Sequence, residues 1–508
     1  MTDTRGASAD DEDASPADLP DFLAIQIPRW SATGQLSRTR RVVVLAVCCL
    51  ALLMIGIDNT IVNVALPSIG TDLHASVSGL QWTVSAYTIV LAAFMLLAGS
   101  IGDRFGRRAT FQAGLALFTL GSWLCSLATS LDWLIAFRVV QALGGSMLNP
   151  VAASIIAVTF SGKAERARAM GIWSGVFGLS MALGPVVGGF LTDTVGWRGV
   201  FWVNIPVGLA GVVLAAILIP ESRVFHPRKL DPVGQALVII VLGALTYAII
   251  QGPSAGWTSP RIAGLLVLVV VALTTLVAYE SRRAQPLIDP RFFRSAPFSG
   301  AVMVGIASYT ALGGFLFLAT LYLQDVQGLT PIQAGLRVLP TAGGMLICSP
   351  LAGRIMARAG PRIPLLLAGA GMTLGCAAVA RSAGGPHAGY LALAYEVFGI
   401  GAGMANPVIT TVAVSGMPLA QVGVATGISS ACRQVGQALG VAVAGSILTG
   451  SLHADSMHGV TLAGFATATH GAWWLLSGCG YLVVILAFVT TSGWAARSAA
   501  RAAQAFTT

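Results

Sequence analysis

Apolar runs of about twenty residues recur along the whole of this 508-residue chain, separated by short polar stretches, and that recurrence leaves few ways to fold. A helix needs about 20 predominantly apolar residues to cross the hydrocarbon core of a bilayer, and Val42–Leu66 and Ile262–Tyr279 meet that length. In lipid every backbone N–H and C=O must be satisfied within the chain, so such runs become helices. Only 10% of the residues are charged, against about 25% in soluble domains, and mean hydropathy is +0.79. The chain therefore reads as an all-α polytopic membrane protein. Its 60 glycines fit close helix packing in lipid, where small residues let backbones approach.

Sliding-window reading predicts fourteen spans, near 42–66, 79–101, 109–129, 131–158, 167–192, 199–219, 232–251, 262–279, 298–323, 332–353, 362–380, 388–412, 423–449 and 472–491. Residues 1–41 read as a disordered tail, acidic first and then basic, and 492–508 as a second tail. The acidic leader lacks the basic start of a signal peptide, so the first apolar run reads as an uncleaved span. A net charge of +9 would suggest nucleic acid, but its distribution points elsewhere. Arg198, Arg261 and Arg381 alone occupy the loops of one side, and Arg138, Arg337 and Arg433 lie within spans. All remaining Lys and Arg fall on the side of the N-terminus, which the positive-inside rule makes cytoplasmic, with both termini inside a cell membrane. All seven cysteines sit in predicted spans and read as packing residues rather than a disulfide framework.

The chain also repeats itself. AGSIGDRFG (98–106) matches AGRIMARAG (352–360), GGSMLNPV (144–151) matches GAGMANPV (401–408), and ALGPVVGG (182–189) matches ALGVAVAG (438–445), in order and at nearly one offset. Two homologous six-helix halves follow, 42–220 and 298–491, with two inserted helices and their loops over 221–297. Repeated halves around a midplane site are the layout of a rocking transporter.

Of the 20 acids, only Asp58 and Glu396 lie deep inside predicted spans. Charges at that depth are costly, face the bundle interior and usually mark an ion or substrate path. Asp58 and Arg138 lie at similar depths, which makes a pairing geometrically possible. Such a carboxylate either exchanges protons or forms a static ion pair that fixes helix packing. Glu396 reads as a coupling or cation-recognition group, and Arg433, with no acid nearby in sequence, is a candidate partner for it. The loop Gly102-Asp103-Arg104-Phe105-Gly106-Arg107-Arg108 joins two antiparallel helices. Its arginines satisfy the positive-inside rule, while Asp103 suggests a contact made in one conformation and released in another. Gly184, Pro185, Gly188 and Gly189 offer a smooth helix face and a backbone break, which suit close packing, a hinge, or both. No Walker loop, metal-spaced Cys/His cluster or nucleophile elbow is present, so neither an enzyme nor ATP-driven transport is expected.

At these residues the chain resembles the major facilitator superfamily, and specifically its fourteen-span drug:proton antiporter branch. GSIGDRFGRR (99–108) looks like that superfamily's loop motif, LIAFRVVQALGG (134–145) its buried-arginine motif, and LGPVVGG (183–189) its antiporter motif. IDNTIVNVALP (57–67), WRGVFWVNIPVG (197–208) and YLQDVQGLTPIQAGLRVLP (322–340) are similar to the branch. The resemblance implies a major-facilitator fold of two six-helix halves plus two extra central helices, working by rocker-switch alternating access. It makes Asp58 the protonation site, Arg138 its regulating partner, and Asp103 with Arg104 and Arg107, between Gly102 and Gly106, a cytoplasmic latch. The second-half counterpart carries Ala357 where Asp103 aligns, so any latch is asymmetric. Few acids in the cavity point to monocationic, neutral or amphipathic substrates handled by Asn63, Trp82, Tyr87, Gln141, Trp173 and Arg433. Protons are the expected coupling ion, with no cofactor, small molecules and lipids as partners, no nucleic acid, and a monomer as the working unit. Proton-coupled multidrug efflux is the leading reading. Export of a lipid, a metabolite or a self-made antibiotic, or a non-transporting receptor or scaffold, remain as alternatives.

Overall fold

The computed structural model describes residues 37–160, 162–223, 230–283, 286–382, 387–415, 422–452 and 460–504. Within them the chain is helical throughout. The first half comprises α1 (Arg38–Asp72), α2 (Val77–Phe105), α3 (Arg107–Ser126), α4 (Leu131–Thr159), α5 (Lys163–Val195), and the nearly continuous α6 (Gly199–Trp202) and α7 (Asn204–Leu218). Two further helices follow, α8 (Pro232–Ala255) and α9 (Pro260–Glu280). The second half comprises α10 (Ala296–Leu321), α11 (Pro331–Ala359), α12 (Arg362–Ala380), α13 (Ala388–Val414), α14 (Val422–Leu452) and α15 (Leu462–Thr490), trailed by α16 (Gly493–Gln504).

Thirteen of the described helical segments are long and apolar enough to cross a membrane. Arg107–Ser126 is 20 residues long but falls outside that set, its sequence being less apolar. Several limits differ from the sequence reading. α1 is 35 residues long and begins at Arg38, so the last basic residues assigned to the tail form its first turn, started by the Ser37 hydroxyl accepting from Arg40 N. The rest of the tail lies outside the described residues. At the other terminus the expected tail contains α16, docked where Ala296 N donates to Ser498 Oγ at 2.9 Å. Side-chain caps set other starts: Asp231 accepts from Gly234 N ahead of Pro232, and Thr330 and Gln333 form a reciprocal capping box on α11.

The two halves pack alike. α1 lies on α5 as α10 lies on α14, α2 on α4 as α11 on α13, and α3 on α4 as α12 on α13. Across the halves, α5 packs on α11 and α2 on α14. Glycine decides these seams. A Cβ on Gly188 would lie 2.8 Å from Ile61 Cγ1 of α1, and one on Gly189 would lie 2.6 Å from Ile332 Cα of α11. One on Gly184 would overlap Thr60, and one on Gly335 would overlap the Pro185 carbonyl. α5 runs as one helix through Pro185, and Gly184, Gly188 and Gly189 pack closely against α1 and α11.

The halves are sealed at the end of the bundle where α1 finishes, at Asp72. There Gln81 Nε2 donates to the Ala442 and Val441 carbonyls at 2.7 and 3.2 Å, Gln324 Nε2 to the Val64 carbonyl at 2.8 Å, and Ile332 N to Asp193 Oδ2 at 3.0 Å. Toward the opposite end, marked by Arg41, a Cβ on Gly427 of α14 would lie 3.0 Å from the Leu96 side chain of α2. The α5–α11 seam loosens: a Cβ on Gly178 would lie 4.0 Å from the Leu346 side chain, and one on Gly171, Gly175 or Gly353 would have no neighbour within 4 Å. The α5–α11 seam is thus tighter at the Asp72 end than toward Arg41. The inserted pair straddles the other flank. Gln235 Nε2 of α8 donates to the Ala93 carbonyl of α2 at 2.9 Å, and Ser446 Oγ of α14 donates to the Ile249 carbonyl of α8.

Candidate functional site

Asp58 and Arg138 meet in the interior of the first half. Arg138 Nη1 donates to Asp58 Oδ2 at 2.7 Å, with side-chain exposures of 1% and 0%. The same Nη1 donates to Gln141 Oε1 at 2.7 Å, and Nε reaches the Thr83 carbonyl at 3.3 Å. The other carboxylate oxygen, Asp58 Oδ1, accepts from Gln141 Nε2 at 2.8 Å and Asn204 Nδ2 at 3.1 Å. Both amides also donate to Ser122 Oγ, at 2.7 and 3.0 Å. The Tyr87 ring covers the guanidinium, its centroid 3.9 Å from Arg138 Cζ. Every oxygen of the carboxylate is thus occupied by a donor from another helix, which is what makes a buried charge tolerable.

Local sequence builds this nest. A Cβ on Gly121 would sit 2.5 Å from the Gln141 backbone, so glycine there lets α4 touch α3 and brings Ser122 to Gln141. Gly208 packs directly on Thr119, which seats Asn204, one turn earlier on α7, beside Ser122. Neither Asn204 nor Ser122 emerged as a site residue from sequence. The available signal was an amide inside an apolar span, Asn204, where a hydrogen-bonding partner is required.

Several residues expected in a substrate cavity lie elsewhere. Tyr87 and Gln141 are fully buried in the Asp58 nest. Trp82 lies tilted against Tyr247 of α8, ring centroids 5.8 Å apart, at the flank where the inserted pair docks. Asn63 is buried, donates to the Asn59 carbonyl at 3.1 Å and leaves its Oδ1 unpartnered. Trp173 is half-buried against the first-half core with its Nε1 unpartnered. Arg433 does not pair with Glu396. Its Nη1 donates to Thr410 Oγ1 at 3.1 Å and its Nη2 to Ser430 Oγ at 2.8 Å. Glu396 is half-buried and faces Gly343, on which a Cβ would lie 3.9 Å from its Oε2.

In the α2–α3 turn, Asp103 Oδ1 accepts from Arg107 Nη2 and Nε at 2.9 and 3.2 Å, one helical turn along. Arg104 is exposed, joins no ion pair among the described residues, and lies over its neighbour Phe105. A Cβ on Gly102 would lie 3.0 Å from Val151 Cγ2, and Gly106 turns at φ 111°, a left-handed region that favours glycine. The residue that sequence reasoning missed is Glu221. Its carboxylate accepts from Arg108 N and Ala109 N at 3.0 and 3.2 Å, capping α3, and would collide with any side chain at position 106. In this conformation the turn is tied to the end of α7, within its own half.

The Major Facilitator Superfamily family model matches residues 48–441. The chain belongs to the major facilitator superfamily. Major-facilitator relatives include the multidrug resistance protein Stp of Mycobacterium tuberculosis (strain CDC 1551 / Oshkosh), 37% identical over 405 residues, covering 80% of this chain and 75% of that protein. The tetracenomycin C resistance and export protein of Streptomyces glaucescens is 37% identical over 402 residues, covering 78% and 74%. Among solved structures, a D-xylose-proton symporter overlays with a TM-score of 0.62 at 15% identity, covering 88% of this chain and 97% of that one, a likeness of fold. A multi-pass membrane transporter rather than an enzyme is what this superfamily membership supports.

Proposed function

We propose that this chain is a proton-driven exporter of small lipophilic or cationic compounds, crossing the membrane fourteen times and acting as a monomer that rocks its halves about a central cavity. The observation that carries this reading is the Asp58 nest: a carboxylate in the middle of the bilayer, sealed from solvent and held by Arg138, Gln141 and Asn204. Such a group is costly to keep and is functional by default. α3 serves as the fourteenth span, since 20 residues at about 1.5 Å each extend across the hydrocarbon.

The concentration of basic residues at the Arg41 end assigns that end to the cytoplasm, which makes the present conformation inward-facing. In this conformation Asp58 is paired with Arg138. A proton arriving from outside neutralises the carboxylate, frees Arg138 and alters the fit of α1 against α4 and α7. Compound and proton favour opposite conformations, so the gradient drives export. The two relatives named for resistance support the choice of cargo, and the one named for tetracenomycin C export supports the narrower reading of a self-made antibiotic. In proteoliposomes, Asp58→Asn is expected to abolish compound-driven proton movement while Asp58→Glu retains part of it. Undiminished coupling in Asp58→Asn overturns the reading.

A further inference from the structure

We infer that the second half of the cavity holds an oxyanion subsite centred on Arg433, and that exported compounds include weak organic acids bearing a carboxylate or phenolate. This deepens the export reading and rests on it. Arg433 lies on α14 two turns to the Arg41 side of the seal at Val441, half-buried, with no ion pair among the described residues. Its partners are uncharged hydroxyls, those of Thr410 and Ser430, and its guanidinium lies 6.0 Å from the Tyr309 ring. Two contacts leave most of a guanidinium's five N–H donors for another acceptor.

Two unpartnered hydroxyls lie on neighbouring turns of α14 and α10. Ser429, one turn before Arg433, is 1% exposed and its hydroxyl has no partner. Ser308 is equally buried and equally unpartnered. It lies one turn after Gly305, where an added Cβ would approach Arg433 Cγ at 3.9 Å. An arginine with idle hydroxyls around it fits a planar oxyanion, which the guanidinium fork binds through paired hydrogen bonds.

No nearby acid cancels this charge. Glu396 and Thr410 share α13, and 410 − 396 = 14 positions correspond to about 21 Å of helix, so Glu396 is far from the guanidinium. In the first half, Asp58 and Arg138 neutralise each other. The stretch of wall beside Arg433 is therefore locally positive, a patch that draws anions while leaving the rest of the cavity to neutral and cationic compounds.

The test uses the full-length protein in neutral phosphatidylcholine liposomes and two matched probes, naphthoate and its trimethylammonium analogue. Arg433→Gln is expected to weaken naphthoate binding about tenfold or more while changing the cation's binding less than about twofold, with Arg433→Lys intermediate. Thr410→Val, which keeps the charge, is expected to give a smaller loss in the same direction and remains informative if Arg433→Gln fails to fold. Equal effects on both probes, or none on naphthoate, overturn the subsite. Naphthoate binding that appears only after adding phosphatidylglycerol, or lipid phosphate displacing it, assigns the site to lipid headgroups and overturns the organic-acid reading. If wild type binds naphthoate through Arg433 but exports nothing, the export reading fails and the subsite stands.

Discussion

Arg138 Nη1 and Asp58 Oδ2 lie 2.7 Å apart with neither side chain reached by solvent, so each charge is tolerated only because the other is there. Removing one partner of such a pair costs about 3–5 kcal/mol, whereas replacing both is often neutral. Arg138→Met is expected to lower thermal stability by that amount, and the double variant Asp58→Leu with Arg138→Met to recover most of it while remaining inactive in export. Unfolding in detergent checks the first part and vesicle transport the second. A double variant no more stable than the single one refutes the pairing energetics.

Asn204 donates both to Asp58 Oδ1 and to Ser122 Oγ. Leaving buried acceptors unsatisfied costs about 1–3 kcal/mol, so Asn204→Leu should reduce stability by that order and slow export. Asn204→Asp is expected to be worse, because it sets a second carboxylate beside the first. Melting curves and transport rates for the two variants give the order.

Gly189 touches the backbone of Pro331 and Ile332 across the halves. Gly189→Leu inserts a side chain into that seam and should hold the Asp72 end apart. Spin labels at Thr194 and Gln327, in a background lacking the native cysteines, are expected to report a longer mean distance than in the unsubstituted protein, together with reduced export.

Glu221 caps α3 through the Arg108 and Ala109 amides. Loss of an N-terminal cap costs about 0.5–2 kcal/mol, so Glu221→Ala should lower the melting temperature and accelerate hydrogen exchange at those two amides. Glu221→Gln, which keeps an acceptor, is expected to lose less of both.

Much of the architecture was legible because lipid imposes it. The apolar runs, their order and the internal repeat follow from hydropathy, and the helices lie close to the windows read from it. The limits drifted where hydropathy is silent: α1 extends through polar Thr71 and Asp72, and α16 appears within what read as a tail. α3 fell short on apolarity because Gln112, Thr119, Ser122 and Ser126 interrupt its apolar run.

The site was partly legible. Asp58 and Arg138 stood out because charges in hydrocarbon need partners, and depth along two helices made their meeting conceivable. Tyr87 and Gln141 read as cavity residues, but helix rotation turns both into the nest. Asn204, Ser122 and Glu221 were hidden because their roles depend on three helices converging, which no spacing within one helix encodes.

The sequence by itself determined the environment, the helix inventory, the two-fold repeat and the presence of unexplained charges. Each of these depends on the composition of a segment about one bilayer thick. Tertiary structure alone decided which amides saturate Asp58, that Arg433 and Glu396 stand apart, and that the seal lies at the Asp72 end. Those outcomes turn on how far each helix is rotated and how closely glycines such as Gly121, Gly188 and Gly208 let neighbours approach.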